Sequence, residues 1–210
     1  MKLDKLLEYA PLHLAELGFI CGIDEVGRGC GAGPVVTAAV ILPKGFNSEL
    51  IRDSKKLSEK QRNEAYNLII DNALGYSCLA GSIKDINELG INEATFNTMH
   101  RCLDALLIKP SHILVDGTTW KDYKGENSAE VSLIPKGDDT YTSIAAAAII
   151  AKVRRDEYML KLDELFPSYN WKSNKGYLSP EHISALKEIG PTKYHRKLYI
   201  RNFVNVDTNN

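Results

Sequence analysis

Two short apolar runs in this sequence end directly in acidic residues. The first, FICGI at 19–23, leads into Asp24 and Glu25, and the second, HILV at 112–115, leads into Asp116. Both runs have the length and composition of buried strands. If the two strands are parallel neighbours, Asp24 and Asp116 lie at the same edge of one sheet. Open α/β sheets build their sites at that edge.

The rest of the chain alternates strand-like and helix-like segments. A glycine-rich stretch joins the first strand to a second, PVVTAAVIL at 34–42, and predicts a tight turn between them. The other expected elements are a helix from the Ser58–Gln61 capping box to about 74, a strand at 75–83, a helix at 92–108, a strand at 131–135, a helix at 140–166 and a helix from Ser179 to Gly190. This order predicts an α/β fold with a mixed central sheet flanked by helices and a helical C-terminal part.

The domain organisation is expected to be simple, because no linker or repeat divides the sequence. We expect one domain over residues 1–203, with the helical part at about 167–203 and a frayed tail at 204–210. Leucines at 3–17 predict one or two short N-terminal helices.

The composition limits the partners and the location. The chain has 26 Lys and Arg against 27 Asp and Glu, a formal net charge of −1, so any polyanion must be held by a local patch. The four cysteines stand singly, without zinc-site spacing, and are expected to be buried thiols. No apolar run is long enough to span a bilayer, and acidic residues interrupt the N-terminal leucines, so we expect a cytoplasmic protein and no membrane partner.

The acidic residues are the candidate site. Glu25 adds a second carboxylate beside Asp24, and Asp138 or Asp139 can join from the start of the long helix. Carboxylates about 5.5 Å apart repel by roughly 3 kcal/mol per pair at an effective dielectric of about 20, so such a cluster requires protons or cations. Oxygen ligands without Cys or His favour Mg²⁺ or Mn²⁺, and two such ions are suited to phosphodiester hydrolysis. The alternatives are solvated turn residues for Asp24 and Asp116, and helix N-caps for Asp138 and Asp139.

The segment GRGCGAG at 27–33 resembles the glycine-rich motif of a dinucleotide-binding loop. Asp53 follows about twenty residues after Gly33, which is the sequence spacing of the acidic residue that binds the ribose in such proteins. Such a loop must open a helix, whereas Pro34 and the following residues predict a strand. We therefore expect no nucleotide cofactor. The glycines instead suit a close backbone approach, with Arg28 held among them.

Two basic regions are candidates for nucleic-acid contact. Lys55 and Lys56 precede the capping box, and the segment 170–203 mixes Lys and Arg with tyrosines and a tryptophan. Basic residues among aromatics grip phosphates and stack on bases or sugars. The alternative is a solvated helix face whose aromatics lie in the core.

Taken together, the motifs resemble those of ribonuclease HII, the bacterial type 2 ribonuclease H. The matching strings, in the family's order, are GIDEVGRGCGAGPVVTAAVIL at 22–42, DSKKLSEKQR at 53–62, LVDG at 114–117, KGDDTYTSIAAAAIIAKVRRD at 136–156, KGYLSPEH at 175–182 and GPTKYHR at 190–196. They span nearly the whole chain.

The resemblance implies a ribonuclease H-like fold and assigns residues to roles. The metal-binding and catalytic carboxylates would be Asp24, Glu25, Asp116 and Asp138, with Asp138 preferred to Asp139 because it directly follows the Lys-Gly pair. The implied activity is metal-dependent cleavage of RNA in RNA/DNA hybrids and on the 5′ side of a ribonucleotide in duplex DNA, giving 3′-hydroxyl and 5′-phosphate ends. The nucleic-acid-binding residues would be Gly27, Arg28 and Gly29, which read the 2′-hydroxyl, Lys55, which contacts phosphate, and Tyr177, which packs on the sugar.

The chain departs from the family pattern at three positions. Ala148 stands where Ser is usual and should face the core, while Asn174 and Ser179 replace a common His and Thr on the expected substrate side. None of the three is an implied metal ligand. We expect a monomer, and keep two other functions open: a catalytically silent nucleic-acid-binding module on the same fold, and a related nuclease that cuts DNA.

Overall fold

A computed structural model of the chain describes residues 18–125 and 129–205. Its five strands are β1 (Ile20–Val26), β2 (Val35–Ile41), β3 (Gly75–Gly81), β4 (His112–Asp116) and β5 (Glu130–Ile134). They form one sheet in the order β3-β2-β1-β4-β5, antiparallel on the β3 side of β1 and parallel on the β4 side. The mixed sheet of the sequence prediction is confirmed. The N-terminal helices expected at 3–17 and most of the expected tail lie outside the described residues.

The helices cover both faces of this sheet and extend beyond it. They are α1 (Glu59–Asn72), α2 (Ile83–Leu89), α3 (Ile91–Asp104), α4 (Thr142–Leu165), α5 (Trp171–Asn174), α6 (Pro180–Ile189) and α7 (Lys197–Ile200). Helix α1 begins at the predicted capping box, in which Ser58 Oγ accepts from the Gln61 amide. No helix in the described part of the chain combines the length and hydropathy needed to cross a bilayer.

Alternating side chains of the central strands fill two cores. Val36, Ala38 and Val40 of β2 pack against α1 and α4, whereas Ala39 and Ile41 face α3. The alanine-rich half of α4 is buried, and Ala148 is 2% exposed, as expected. A Cβ on Gly22 would lie 2.2 Å from the Ser143 carbonyl carbon, so α4 sits directly on the β1 backbone. This close approach places the start of α4 beside the end of β1.

The C-terminal helices form a separate apolar cluster with the second half of α4. Its buried members include Met159, Leu162, Tyr169, Trp171 and Leu186. The loop 27–34 between β1 and β2 contributes Ala32 to the same cluster. The connection is therefore not the tight turn that the glycines predict, but an eight-residue loop embedded in the C-terminal part.

Candidate active site

The parallel pairing of β1 and β4 brings two of the expected acidic residues together. Ile23 pairs with Val115, so Asp24 and Asp116 are the next residues on adjacent strands. The Asp24 side chain is nearly buried and accepts a 2.6 Å hydrogen bond from the Glu25 amide. The predicted common edge of the sheet is thus present in the structure.

Asp138 joins this edge through a single 3₁₀ turn, Gly137–Asp139, between β5 and α4. The Gly137 amide donates to Asp116 Oδ1 at 2.7 Å, which fixes the turn against the end of β4. Asp138 is 6% exposed, whereas Asp139 is more exposed and forms an ion pair with Lys56. Neither residue caps α4, because the N-cap is Tyr141. Of these two acids, Asp138 is therefore the one held within the fold.

The electrostatics show that these carboxylates share one space. Burial raises the pKa of Asp24 well above its ordinary value, and repulsion from Glu25, Asp116 and Asp138 raises it further. Burial also raises the pKa of Asp116, with a smaller upward contribution from Asp138. For Glu25, burial raises the pKa more than the attraction to Arg28 lowers it. Because burial and mutual repulsion destabilise the charged forms of these carboxylates, bound protons or cations stabilise the cluster.

The donor set fits a hard divalent cation, because it consists of carboxylate oxygens only. Within residues 18–125 and 129–205, no three Asp, Glu, His or Cys side chains are already arranged around a common ion position. The side-chain ammonium group of Lys55 lies beside these acids, with its Nζ 3.4 Å from Asp138 Oδ2. Partial burial lowers the pKa of Lys55, but attraction to Asp138 and Asp53 outweighs it and the net shift is upward. The mutual repulsion of the acids and the proximity of Lys55 both indicate a site that favours positive charge.

Two buried arginines fix the glycine loop beside the acids. Arg155 donates to the carbonyls of Ala32, Pro34 and Lys175, at 2.8–3.1 Å. Arg196 donates to the carbonyls of Gly33 and Arg28, at 2.9 and 2.8 Å. Both side chains have no exposed surface. The basic segment 170–203 made Arg196 a candidate for phosphate contact, but its buried side chain serves backbone carbonyls instead. No motif marked Arg155, because its partners are backbone atoms distant in sequence.

The Arg28 side chain lies between an acid of the cluster and α3. Its Nη1 is 3.5 Å from Glu25 Oε1, and its Nη2 donates to Asn92 Oδ1 at 2.6 Å. No sequence motif includes Asn92, so nothing in the sequence marks it as a neighbour of the site. Both terminal nitrogens of the Arg28 guanidinium are therefore held by neighbouring side chains, which fixes the orientation of the group.

Tyr177 lies next to the same loop. Its side chain is exposed, its hydroxyl hydrogen-bonds the Cys30 side chain, and a Cβ on Gly29 would be 3.8 Å from Tyr177 Cε1. The preceding Gly176 carbonyl accepts from the amides of Gly31 and Ala32. The structure thus brings Gly29 and Tyr177 together, 148 positions apart in the sequence.

Two further aromatics of the basic region belong to the core. Tyr169 and Trp171 are buried and stacked, with ring centroids 4.9 Å apart. Asn174 hydrogen-bonds the Tyr169 carbonyl and the Gly176 amide, and Ser179 caps α6. The two readings of this segment therefore apply to different residues: Tyr177 is available at the surface, and Tyr169 and Trp171 are core.

Comparison with known proteins places this arrangement in a family. A family model described as Ribonuclease HII matches residues 21–206. The chain belongs to the ribonuclease HII family. The ribonuclease HII of Christiangramia forsetii is 49% identical over 180 residues, which cover 86% of this chain and 89% of the relative. Family membership makes the chain an enzyme, a ribonuclease H of the endonuclease class of hydrolases.

Solved structures show the same fold. The ribonuclease H2 of Pyrococcus horikoshii superposes with a TM-score of 0.76 at 26% identity, covering 88% of this chain and 96% of that one. A ribonuclease HIII solved in complex with Mn²⁺, Bst-RNase HIII, has a TM-score of 0.65 at 22% identity and covers 92% of this chain and 72% of that one. At 22% identity, the similarity to Bst-RNase HIII shows a shared fold only. The predicted ribonuclease H-like fold is confirmed by these two comparisons.

Proposed function

We propose that this ribonuclease HII cleaves the phosphodiester on the 5′ side of ribonucleotides, both in RNA/DNA hybrids and at single ribonucleotides in duplex DNA. The products would carry 3′-hydroxyl and 5′-phosphate ends. One observation carries the proposal: the acidic edge formed by Asp24, Asp116 and Asp138 adjoins a loop whose Gly29 lies against Tyr177. A hydrolytic centre beside a surface that can contact one sugar suits a cut at a ribonucleotide.

The four carboxylates Asp24, Glu25, Asp116 and Asp138 would hold two Mg²⁺ or Mn²⁺ ions. Bound there, a pair of divalent ions supplies an activated water and stabilises the leaving oxygen. The donor set of carboxylate oxygens, without Cys or His, supports this choice of metal. The protein's contribution is to hold the acids in place, through the Gly137–Asp116 and Glu25–Asp24 hydrogen bonds.

The neighbouring residues would bind the substrate. Lys55, whose side chain is 81% exposed, would exchange its contact with Asp138 for a backbone phosphate. Tyr177 presents an exposed ring for packing on a sugar. Gly27, Arg28 and Gly29 would read the 2′-hydroxyl, the group that distinguishes RNA from DNA.

The test is cleavage of a labelled DNA duplex containing one ribonucleotide, with Mg²⁺ and separately with Mn²⁺. An all-DNA duplex and a matched RNA/DNA hybrid serve as controls. We expect one cut 5′ to the ribonucleotide, cutting of the hybrid, and none without metal. The Asp116→Asn variant should lose cleavage and keep hybrid binding.

Two outcomes would contradict the proposal. Folded protein that binds the duplex but cuts with neither ion would be a silent binding module. Cleavage of the all-DNA duplex would indicate a DNA nuclease on the same fold.

A further inference from the structure

The Arg28 carbonyl oxygen accepts two hydrogen bonds from the C-terminal part of the chain. Arg196 Nη1 donates to it at 2.8 Å and the Tyr199 hydroxyl donates at 2.9 Å. Both donors come from residues about 170 positions later in the sequence. The Arg196 guanidinium lies 5.4 Å from the Tyr199 ring centroid, so the two donors support each other. Such double anchoring fixes the direction of one carbonyl.

Fixing that carbonyl also fixes the amide that follows it. The described residues contain no cis peptide bond, so the Arg28–Gly29 peptide is trans and its N–H points opposite to its C=O. With the carbonyl directed toward buried Arg196, the Gly29 N–H is directed away from the protein interior. Gly29 is exposed, and its amide has no hydrogen-bond partner in the described part of the chain.

The alternative orientation of this peptide would be costly. A rotation would leave the Arg196 guanidinium and the Tyr199 hydroxyl without their shared acceptor, and the Arg196 side chain is completely buried. Buried donors without partners carry a desolvation penalty. Since glycine on its own allows many backbone conformations, the order of this segment must come from such anchors.

We propose that Arg196 and Tyr199 are positioning residues for ribonucleotide recognition. They hold the Arg28–Gly29 peptide so that the Gly29 N–H donates to the ribose 2′-hydroxyl of a sugar packed on Tyr177. A preoriented donor needs no reorganisation when the substrate binds. This inference rests on the proposed function, since it names the residues that set its specificity for ribonucleotides.

The test compares Tyr199→Phe with Tyr194→Phe. Each variant loses one hydroxyl from the same segment, but only Tyr199 donates its hydroxyl to the glycine loop. We expect Tyr199→Phe to lower kcat/KM on the one-ribonucleotide duplex by about fivefold, the effect of one weakened hydrogen bond. Its affinity for an all-DNA duplex should stay within about twofold, because phosphate contacts are untouched, and Tyr194→Phe should match the wild type on both substrates.

Three results would overturn the inference while the wild type still cuts at the ribonucleotide. They are an unchanged kcat/KM in Tyr199→Phe, an equal loss in Tyr194→Phe, and a parallel loss of affinity for the all-DNA duplex. A wild type that does not cut would instead overturn the proposed function.

A second measurement uses the wild-type protein alone, so it tests the inference even if Tyr199→Phe fails to fold. The backbone amide resonance of Gly29 should shift on adding the one-ribonucleotide duplex, in chelator so that the duplex stays intact. It should shift much less with the all-DNA duplex. Equal shifts with both duplexes would contradict the proposed contact.

Discussion

His182 and His195 are buried with their Nε2 atoms 2.9 Å apart. The Thr192 amide donates to His195 Nδ1, so the proton of His195 is on Nε2 and is donated to His182. His182 Nε2 also accepts from the Trp171 indole, and its Nδ1–H donates to the Tyr177 carbonyl at 2.8 Å. Two neutral histidines thus connect the segment before α7 to the residue proposed to bind the sugar.

This histidine pair predicts a specific acid sensitivity. Burial, followed by repulsion from His182, lowers the pKa of His195 to about 4. An unfolded histidine titrates near 6.5, so the unfolded state binds more protons between these values. The free energy of unfolding should therefore decrease as the pH falls from about 6.5 to about 4, by up to about 3 kcal/mol from this group.

Denaturant unfolding of the wild type and His195→Gln between pH 7 and pH 4 tests this prediction. Gln keeps a terminal N–H donor but does not titrate. The stability advantage of the wild type over the variant should shrink as the pH falls, and parallel pH profiles would show that His195 does not carry the effect.

Asp24→Asn should stabilise the protein in the absence of metal and abolish its activity. The amide oxygen can still accept from the Glu25 amide, while the repulsion from Glu25, Asp116 and Asp138 disappears. We expect the Tm in chelator to rise by roughly 2–4 °C, the shift of about 1 kcal/mol in a chain of this size. Cleavage should fall by at least about a hundredfold.

Thermal unfolding with and without Mg²⁺ measures this prediction, with Asp71→Asn as the control because Asp71 is an exposed acid on α1. Mg²⁺ should raise the Tm of the wild type and of Asp71→Asn, and raise that of Asp24→Asn much less. An Asp24→Asn variant with a lower Tm in chelator would show that the carboxylates do not destabilise the fold.

Lys55→Gln should weaken substrate binding more than it slows the chemical step. If Lys55 contacts phosphate, the variant raises KM several-fold and reduces the slope of log affinity against log salt by about one. Lys60→Gln is the matched control, because Lys60 is equally exposed and interacts with Glu64 instead of an acid of the site. Equal salt slopes for wild type and Lys55→Gln would argue against a phosphate contact.

Two substitutions at Tyr177 distinguish the contribution of its ring to substrate binding from that of its hydroxyl. Tyr177→Ala should raise KM for the one-ribonucleotide duplex by about tenfold, within the range for loss of an aromatic stacking contact. Tyr177→Phe keeps the ring and loses the hydrogen bond to Cys30, so its KM should stay within about threefold of the wild type. Tyr76→Ala, at an exposed tyrosine on β3, should leave KM unchanged. Similar values for the Ala and Phe variants at 177 would contradict the packing role.

The acidic edge was predictable because it depends on local patterns. An apolar run followed by Asp specifies both the strand and the residue that emerges from it, and the parallel pairing of β1 and β4 then brings Asp24 and Asp116 together. The capping box at Ser58 likewise fixed the start of α1. Helix α2 was missed, although Ser82 caps it and Gly90, with φ of 84°, ends it. These two residues are the signals that identify it.

The surroundings of the glycine loop were not predictable in the same way. Arg155 and Arg196 act on backbone carbonyls, which every residue has, so no sequence pattern marks the partners. The tight turn predicted between β1 and β2 was wrong for the same reason, because the loop is held mainly by Arg155 and by residues 175–199, with one 3.5 Å hydrogen bond of its own from the Cys30 amide to the Gly27 carbonyl. Distant backbone contacts of this kind appear only in the folded structure.

The attachment of the loop 27–34 to residues 194–199 has a consequence for synthesis of the chain. During translation the acidic strands β1 and β4 are complete once residue 116 has been made, but the donors that orient the Arg28 carbonyl, Arg196 and Tyr199, follow about 80 residues later. Contacts of such sequence separation form late and slowly in folding. A ribosome-bound chain that lacks residue 199 can therefore carry all four acids without the donors that order the loop beside them, and we expect selective cleavage only after these donors have been added and packed.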